Sequence, residues 1–267
     1  MKTTLLRVSG LLLFWIALAS PLAAQEAPAL RLDLNIPALR LVVYEGDKVL
    51  RSYGVAVGKA GHDTPLGDYT IDHAEWNPWW RPPQGREWTR GKENTPPGLN
   101  NPMGRVKLFF APLYFIHGTP EAQSIGSPAS HGCVRMRNAD VIELARLVHE
   151  HAASGVSARD IDRILARPTN TRAVHFQRPV AVAIHYTPVV IEEGVLKIYP
   201  DIYGYNAIHS ESVYQALMAA GYSLNGVDRN AVQEVLARAS RNKKAAFSAP
   251  VAEIFPTVAL ASSGADR

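Results

Sequence analysis

Apolar and polar residues alternate along residues 30–44, which is the two-residue period of a half-buried β-strand. A turn at Glu45-Gly46-Asp47 leads into a second β-rich run from Val49 to Val57. Two such runs around a short turn predict a β-hairpin. Three more short strands are predicted at Leu66–Ile71, Val106–Phe110 and Leu113–His117.

Helical periodicity first becomes clear after Asn138, the predicted N-cap of a helix whose apolar residues share one face. Ser157 and Asp160 have the spacing of a capping box and predict a second helix. Beyond it, the pattern predicts a β-hairpin from residues 180–191 and 195–199. Two short helices are predicted at residues 212–220 and 228–240, followed by a loose tail from Phe247 onwards.

The segment from Trp76 to Pro102 is rich in tryptophan and proline, and we call it the tryptophan loop. Prolines at this density exclude a regular helix or a central strand. A long irregular insertion in a compact domain is usually a lid or a binding loop. The alternative is an Ω-loop whose tryptophans pack onto the domain.

The N-terminal residues have the features of a secretory signal peptide. Lys2 and Arg7 form a basic start, an apolar run extends from Leu11 to Ala19, and small residues precede Gln25. We therefore expect an exported protein, cleaved after Ala24 or else after Ala27. An uncleaved anchor is the alternative, but the run is shorter than the roughly 20 apolar residues that span a bilayer.

Composition narrows the class of protein further. Hydrophobic residues make up 47% and charged residues 19%, which is typical of a globular chain rather than a disordered one. The net charge is +4, and without Lys2 and Arg7 the balance is 26 basic against 24 acidic residues. We find no basic stripe, so we expect no nucleic-acid partner.

Cys133 is the one cysteine of the chain, so it cannot form an internal disulfide. A nucleophilic thiol needs a neighbouring base or cation, and His117 at a predicted strand end could supply that base. Gly132 lets the backbone approach a substrate carbonyl, where nearby amides could stabilise an oxyanion. The alternatives are an inert buried thiol, a zinc site with His117 and His131, and a structural role for His131. Zinc sites usually contain more Cys or His ligands than this.

Two strings give the chain a specific resemblance: His117-Gly118-Thr119, and Ser130-His131-Gly132-Cys133-Val134-Arg135-Met136. Together they resemble the L,D-transpeptidase catalytic domain, also called the YkuD domain, in particular the branch related to the ErfK/YbiS/YcfS/YnhG enzymes. The stretches 64–71, 77–83, 101–104 and 137–140 are similar to that family as well.

The resemblance implies a role for each matching residue. Cys133 would be the nucleophile, His117 the general base, and the main-chain carbonyl of Gly118 would orient the imidazole. Gly132 and Cys133 would supply oxyanion-hole amides, with His131 supporting this loop. Arg135 would anchor a substrate carboxylate, with a structural salt bridge as the alternative.

The implied reaction releases D-alanine from a tetrapeptide stem of peptidoglycan and forms a 3→3 cross-link, in the periplasm and without a cofactor or metal. The acceptor groove is expected in the tryptophan loop, at Trp79 and Trp80. Within the family, the alternatives are an L,D-carboxypeptidase and an enzyme that attaches or cleaves an outer-membrane lipoprotein. A non-catalytic peptidoglycan-binding envelope protein is the alternative from another class. Carbapenems are the expected inhibitors.

These observations predict an α+β, β-rich fold, with a mixed β-sandwich catalytic domain, a few helices and a C-terminal extension. The expected division is a signal peptide at residues 1–24, the catalytic domain at 30–156, a trailing module with a helix and a β-hairpin at 157–204, and a helical extension with a loose tail at 205–267.

Overall fold

The computed structural model describes residues 29–152 and 154–261. The predicted signal peptide lies outside these residues. Within the described ranges, no helix is both long and apolar enough to cross a membrane.

Strands are the main regular element of the described chain. The strands are β1 Leu30–Asn35, β2 Arg40–Glu45, β3 Lys48–Gly54, β4 Val57–Gly58, β5 Gly67–Trp76, β6 Val106–Ala111, β7 Tyr114–Thr119, β8 Pro128–Ser130, β9 Val134–Arg137, β10 Arg172–His185, β11 Val189–Glu192, β12 Val195–Ile198 and β13 Phe247–Pro250. The helices are α1 Asn138–His151, α2 Ala158–Leu165, α3 Ser210–Ala219, α4 Arg229–Ser240 and α5 Val251–Ile254.

The main sheet has eight strands in the order β3-β2-β1-β10-β5-β6-β7-β9. The β1–β10 and β7–β9 pairs are parallel and the other pairs are antiparallel, so the sheet is mixed. Its buried residues, together with α1, form the larger hydrophobic core. This architecture confirms the predicted α+β, β-rich class.

A second, smaller core lies at the C-terminal end. Strands β11, β12 and β13 form a three-stranded antiparallel sheet, and α3 packs against β11. Val213, Leu217 and Val232 are buried there with Leu196 and Phe255. Residues 189–261 therefore have an apolar centre of their own.

The structure differs from the predicted domain division at two places. Strand β10, inside the range expected to form a trailing module, lies between β1 and β5 in the main sheet. The end of the catalytic fold therefore does not fall at residue 156. The segment predicted to be a loose tail from Phe247 onwards also begins with regular secondary structure, because β13 pairs with β12 and is followed by α5.

Helix α1 begins as predicted, but its cap differs. Arg137 occupies the N-cap position and makes no side-chain cap hydrogen bond. The Asn138 side chain instead accepts from the Arg105 amide at 3.0 Å and donates to the Thr119 carbonyl at 3.2 Å. Asn138 thus ties the loop before β6 to the end of β7, which carries His117. At α2, Ser157 and Asp160 form the predicted capping box.

Candidate active site

A cleft of about 850 Å³ opens on one face of the main sheet. Six of the predicted site residues line it: His117, His131, Cys133, Arg135, Trp79 and Trp80. Gly118 and Gly132 are the chain neighbours of His117 and Cys133. The fold therefore gathers residues that are more than fifty positions apart in the sequence.

The floor of the cleft is a row of directly paired residues on four adjacent strands. Glu75 on β5 pairs with Lys107 on β6, Lys107 pairs with His117 on β7, and His117 pairs with Arg135 on β9. Directly opposite residues in a sheet project from the same face. The histidine therefore lies between two cations, and all four side chains line the cleft.

His117 is fixed in one tautomer. Its ring is buried, and Nδ1 lies 2.6 Å from the Gly118 carbonyl oxygen, which can only accept a hydrogen bond. Nδ1 therefore carries the proton, and Nε2 has a free lone pair. Burial lowers the pKa of His117 to about 4, with the charges of Arg135 and Lys107 acting in the same direction and the Gly118 hydrogen bond opposing them. The imidazole is neutral at neutral pH.

Cys133 lies in the turn between β8 and β9 and is half-buried. Its Sγ is 3.6 Å from the Leu113 carbonyl oxygen. Burial raises the pKa of the Cys133 thiol to about 11, although a hydrogen bond with the Phe115 backbone and the charges of Arg135 and Lys107 oppose this. The free protein therefore holds a neutral thiol and a neutral imidazole in one cleft, rather than a thiolate–imidazolium pair.

The turn that carries Cys133 is stabilised from within. The Ser130 hydroxyl donates to the Cys133 carbonyl at 2.5 Å, and the Gly132 amide donates to Ser130 Oγ at 3.0 Å. Gly132 has a φ of +110°, and a Cβ there would lie 2.8 Å from Tyr114 Cε1. Only glycine fits this position. The Gly132 amide, expected to face an oxyanion, is already bonded inside the turn.

His131 makes aromatic contacts on two sides. It stacks on Trp88 with ring centroids 4.1 Å apart, and its edge meets His62 at 4.8 Å. Burial lowers the pKa of His131 to about 4, with smaller contributions in the same direction from Lys59 and the neighbouring His62. His131 thus packs between the turn that carries Cys133 and the tryptophan loop. These contacts are consistent with a residue that supports the turn.

The tryptophan loop is held by two buried asparagines. The Asn77 amide contacts the carbonyls of Ile164, Arg167 and Asn170. The Asn101 amide contacts those of Pro78, Thr95 and Pro96. Trp79, Trp80 and Trp88 line the cleft, as a binding loop requires, whereas Trp76 is fully buried at the end of β5. Trp76 is therefore a core residue.

Two ion pairs flank the histidine. Arg135 Nη1 lies 2.9 Å from Glu121 Oε2, and Lys107 Nζ lies 3.0 Å from Glu75 Oε2. The second pair was missed from the sequence, although Lys107 interrupts an apolar strand and is 7% exposed. The signal available in the sequence was a lysine in the middle of a predicted apolar strand, Val106–Phe110, since lysine is seldom buried without a partner.

The described part of the chain contains no cluster of three or more His, Cys, Asp or Glu side chains arranged to hold a metal ion. His117 Nδ1 is bonded to the Gly118 carbonyl, and His131 packs between two aromatic rings. The floor of the cleft thus offers the Cys133 thiol, the free Nε2 of His117 and two paired cations, Lys107 and Arg135, for chemistry.

Comparison with known proteins gives one consistent family. The sequence model of the L,D-transpeptidase catalytic domain (YkuD) matches residues 30–191. The chain is 28% identical over 159 residues to "Probable L,D-transpeptidase ErfK/SrfK" of Salmonella typhimurium, covering 55% of this chain and 50% of that protein. It is 30% identical over 159 residues to "Probable L,D-transpeptidase YbiS" of Escherichia coli K12, covering 55% of this chain and 51% of that protein.

The chain thus spans about half the length of the curated relatives it matches. Among solved structures, it is similar to the catalytic domain of an L,D-transpeptidase from E. faecium. The TM-score is 0.39 and the identity 14%, with 60% of this chain and 100% of that chain covered. The family model covers more than half of the sequence, including the strand β10 that completes the main sheet. The chain belongs to the L,D-transpeptidase (YkuD) catalytic-domain family.

Proposed function

We propose that the protein is a peptidoglycan L,D-transpeptidase that acts through an acyl-enzyme on Cys133. The observation that carries the proposal is the fixed tautomer of His117, since its Nδ1 is bonded to Gly118 and its Nε2 is free to accept a proton. His117 and Cys133 line the same cleft. A neutral base and a neutral thiol suit proton transfer that accompanies nucleophilic attack.

In the first half-reaction, Cys133 Sγ attacks the carbonyl carbon of the third stem residue while His117 Nε2 takes the thiol proton. The tetrahedral intermediate then collapses, and the bond to the terminal D-alanine breaks. The departing amine takes the proton back from His117. A thioester remains on Cys133, and D-alanine leaves.

In the second half-reaction, an amine on another stem peptide attacks the thioester and gives its proton to His117. The sulfur leaves and is reprotonated, and a 3→3 cross-link results. If water attacks instead, the product is a tripeptide, and the enzyme is an L,D-carboxypeptidase. If the amine is a lysine of an outer-membrane lipoprotein, the product is an anchored lipoprotein.

Negative charge that develops on the substrate carbonyl has suitable partners in the cleft. Because the Gly132 amide is bonded to Ser130, the Cys133 amide is our candidate oxyanion donor. Lys107 and Arg135 add positive charge on either side of His117. Arg135 would anchor a substrate carboxylate by exchanging its partner Glu121, which has a largely exposed side chain.

The tryptophan loop is our candidate for the acceptor groove. Trp79 is 37% exposed and lies with Trp80 in the wall of the cleft, so both rings can pack against a second stem. Replacing Trp79 and Trp80 by alanine should alter the ratio of cross-linked to hydrolysed product more than the rate of acylation. An unchanged ratio would remove the loop from acceptor binding.

Export to the periplasm is part of the proposal, because the substrate lies outside the cytoplasm. It rests on the basic and apolar pattern of residues 1–24. Carbapenems are proposed inhibitors, since their strained carbonyl can acylate Cys133 as a stem peptide would.

The test is product analysis by chromatography and mass spectrometry, with a disaccharide-tetrapeptide as both donor and acceptor. We expect D-alanine and a cross-linked dimer, both lost in Cys133→Ala. D-alanine with tripeptide alone would make the protein a carboxypeptidase. No D-alanine in any condition would reject both and favour a non-catalytic peptidoglycan-binding role.

A further inference from the structure

Three tyrosines from the C-terminal part of the chain form a cluster beside the active-site cleft. Tyr186 follows β10, and Tyr203 and Tyr205 lie between β12 and α3. Their ring centroids are 4.7 to 5.5 Å apart. Asp201 organises the cluster, because its Oδ1 accepts from the Tyr186 hydroxyl at 2.5 Å and from the Tyr205 amide at 3.0 Å. We call Tyr186, Tyr203 and Tyr205 the tyrosine cluster.

The tyrosine cluster bonds directly to the loop of residues 59–64, which precedes β5. The Tyr205 hydroxyl donates to Asp63 Oδ2 at 2.6 Å. The Thr64 amide donates to the Tyr203 hydroxyl oxygen at 3.1 Å. The hydrogen bond to Asp63 also raises the pKa of Tyr205 to about 12, so this hydroxyl keeps its proton at physiological pH. Two phenols thus fix consecutive residues of the loop.

The opposite side of the 59–64 loop contacts the turn that carries Cys133. The Lys59 amide donates to the Ser130 carbonyl at 3.0 Å. The His62 ring meets the edge of His131 at 4.8 Å. The Asp63 carbonyl oxygen would lie 3.4 Å from a Cβ on Gly132, so the two backbones are in close approach. The loop therefore lies between the tyrosine cluster and the residues on either side of the nucleophile.

The exposure of Tyr205 allows a role in positioning the loop to be distinguished from a contribution to the stability of the fold. It is 47% exposed, so its contact with Asp63 buries little apolar surface. A hydrogen bond made from a half-exposed ring adds little to the free energy of unfolding, because water can replace it. The same bond can still fix the direction of the loop, and small displacements of a nucleophile are costly to reaction rate.

We propose that Tyr203 and Tyr205 are positioning residues, which hold the 59–64 loop against the Ser130–Cys133 turn and so fix the nucleophile in its attacking position. The inference rests on the proposed acyl-transfer function. It gives the segment between β12 and α3 a part in the reaction. Tyr186 and Tyr203 pack against the larger core, so the segment that leads into the smaller core is anchored on the catalytic domain.

The test compares Tyr203→Phe, Tyr205→Phe and the double variant with Tyr214→Phe, a matched control on α3 in the smaller core. Each phenylalanine keeps the ring and removes only the hydroxyl. We expect the double variant to acylate about tenfold more slowly with the tetrapeptide, with KM within about twofold. Tyr205→Phe, which loses the hydroxyl of a half-exposed ring, should be slower with an unchanged melting temperature. Tyr214→Phe should match the wild type.

A conservative pair at Asp63 strengthens the test. Asp63→Asn keeps an oxygen that accepts from the Tyr205 hydroxyl, and it should retain most of the acylation rate, whereas Asp63→Ala should behave like Tyr205→Phe. Acylation at the wild-type rate in the double variant would overturn the proposal. A rate that falls only together with the melting temperature would also overturn it, since it would indicate a purely structural role.

If the wild type forms no acyl-enzyme with the tetrapeptide, the proposed function fails, and the positioning role is decided by a second measurement. This is the rate at which iodoacetamide alkylates Cys133. A change of about threefold or more in the double variant, absent in Tyr214→Phe, supports positioning of the thiol. An unchanged rate overturns it.

Discussion

Lys107 and His117 are directly paired on adjacent strands of the main sheet, so a lysine and the candidate general base share one face of the cleft. Burial is the main influence on the pKa of both reacting groups, since it lowers the pKa of His117 and raises that of Cys133. The charge of Lys107 acts to lower both values. Its own charge is balanced by Glu75 at 3.0 Å. The chain thus places a compensated cation beside the reacting groups.

This arrangement predicts that substitutions of Lys107 and Glu75 have opposite effects on the alkylation rate of Cys133. Lys107→Met removes the cation and should slow alkylation of Cys133 at neutral pH about three- to tenfold, because the thiol pKa rises further. Glu75→Gln leaves the lysine uncompensated and should speed the same reaction. Alkylation rates as a function of pH check both. Lys48→Met, at the exposed first residue of β3, is the control. Shifts of the same sign in Lys107→Met and Glu75→Gln would contradict this view of the pair.

The two active-site pKa values predict the pH dependence of acylation. His117 must be neutral to accept the thiol proton, and its pKa is lowered to about 4, so the rate should fall only as the pH drops through that value. The thiol pKa of about 11 adds no inflection near neutrality. Acylation should therefore be nearly constant between about pH 5 and pH 9.

Ultraviolet absorbance of the thiolate gives an independent check on the same point. The difference between the wild type and Cys133→Ala should be negligible at pH 7 and appear only in strongly alkaline solution. A thiolate signal at neutral pH would mean that the free protein holds a thiolate–imidazolium pair instead.

Gly132 predicts a position-specific loss of activity. Gly132→Ala would place a methyl group 2.8 Å from Tyr114 at a φ of +110°, so the turn must move and carry Cys133 with it. We expect at least a hundredfold loss in acylation rate, on the order of 10². Gly126→Ala is the matched control, because Gly126 also has a positive φ but an added Cβ meets nothing within 4 Å. It should lose some stability and little activity.

His149 predicts a loss of stability in acid. It is buried on α1, where Nε2 accepts from the Trp76 indole at 3.0 Å, and burial lowers its pKa to about 4. Below about pH 6.5 the unfolded chain binds a proton that the folded protein excludes, so stability declines as the pH falls from there towards 4.

His117 and His131 act in the same direction as His149. The melting temperature should therefore fall by several degrees across this range, and His149→Gln should flatten the decline. Thermal unfolding followed by circular dichroism at a series of pH values checks this. An unchanged slope in His149→Gln would exclude this histidine as a contributor.

The sequence was most informative where the chemistry is local. His117 and Cys133 lie in short motifs with distinctive neighbours, and the two-residue period predicted most of the strands that carry them. Such a period identifies a strand but not its partner. Strand β10 therefore looked like part of a separate module, because its parallel pairing with β1 joins residues about 150 positions apart, such as Arg31 and Ala181.

The features missed at the site have the same origin. The Glu75–Lys107 pair depends on the register of β5 against β6, and the two residues are not adjacent in sequence. Asn138 is a good N-cap residue by type, yet two backbone groups brought near by the fold take its side chain. The contact of Tyr205 with Asp63 spans 142 positions, so no local pattern could reveal it.

Acylation of Cys133 by a stem peptide, with loss of D-alanine, is the step on which the proposed function depends. Its most direct test is the intact mass of the protein within seconds of mixing with a disaccharide-tetrapeptide, followed by peptide mapping. We expect a mass increase equal to the substrate minus D-alanine, located on the peptide that contains Cys133, and we expect Cys133→Ala to show neither the adduct nor D-alanine release. D-alanine release that persists in Cys133→Ala, or an adduct that persists in that variant, would show that Cys133 is not the nucleophile.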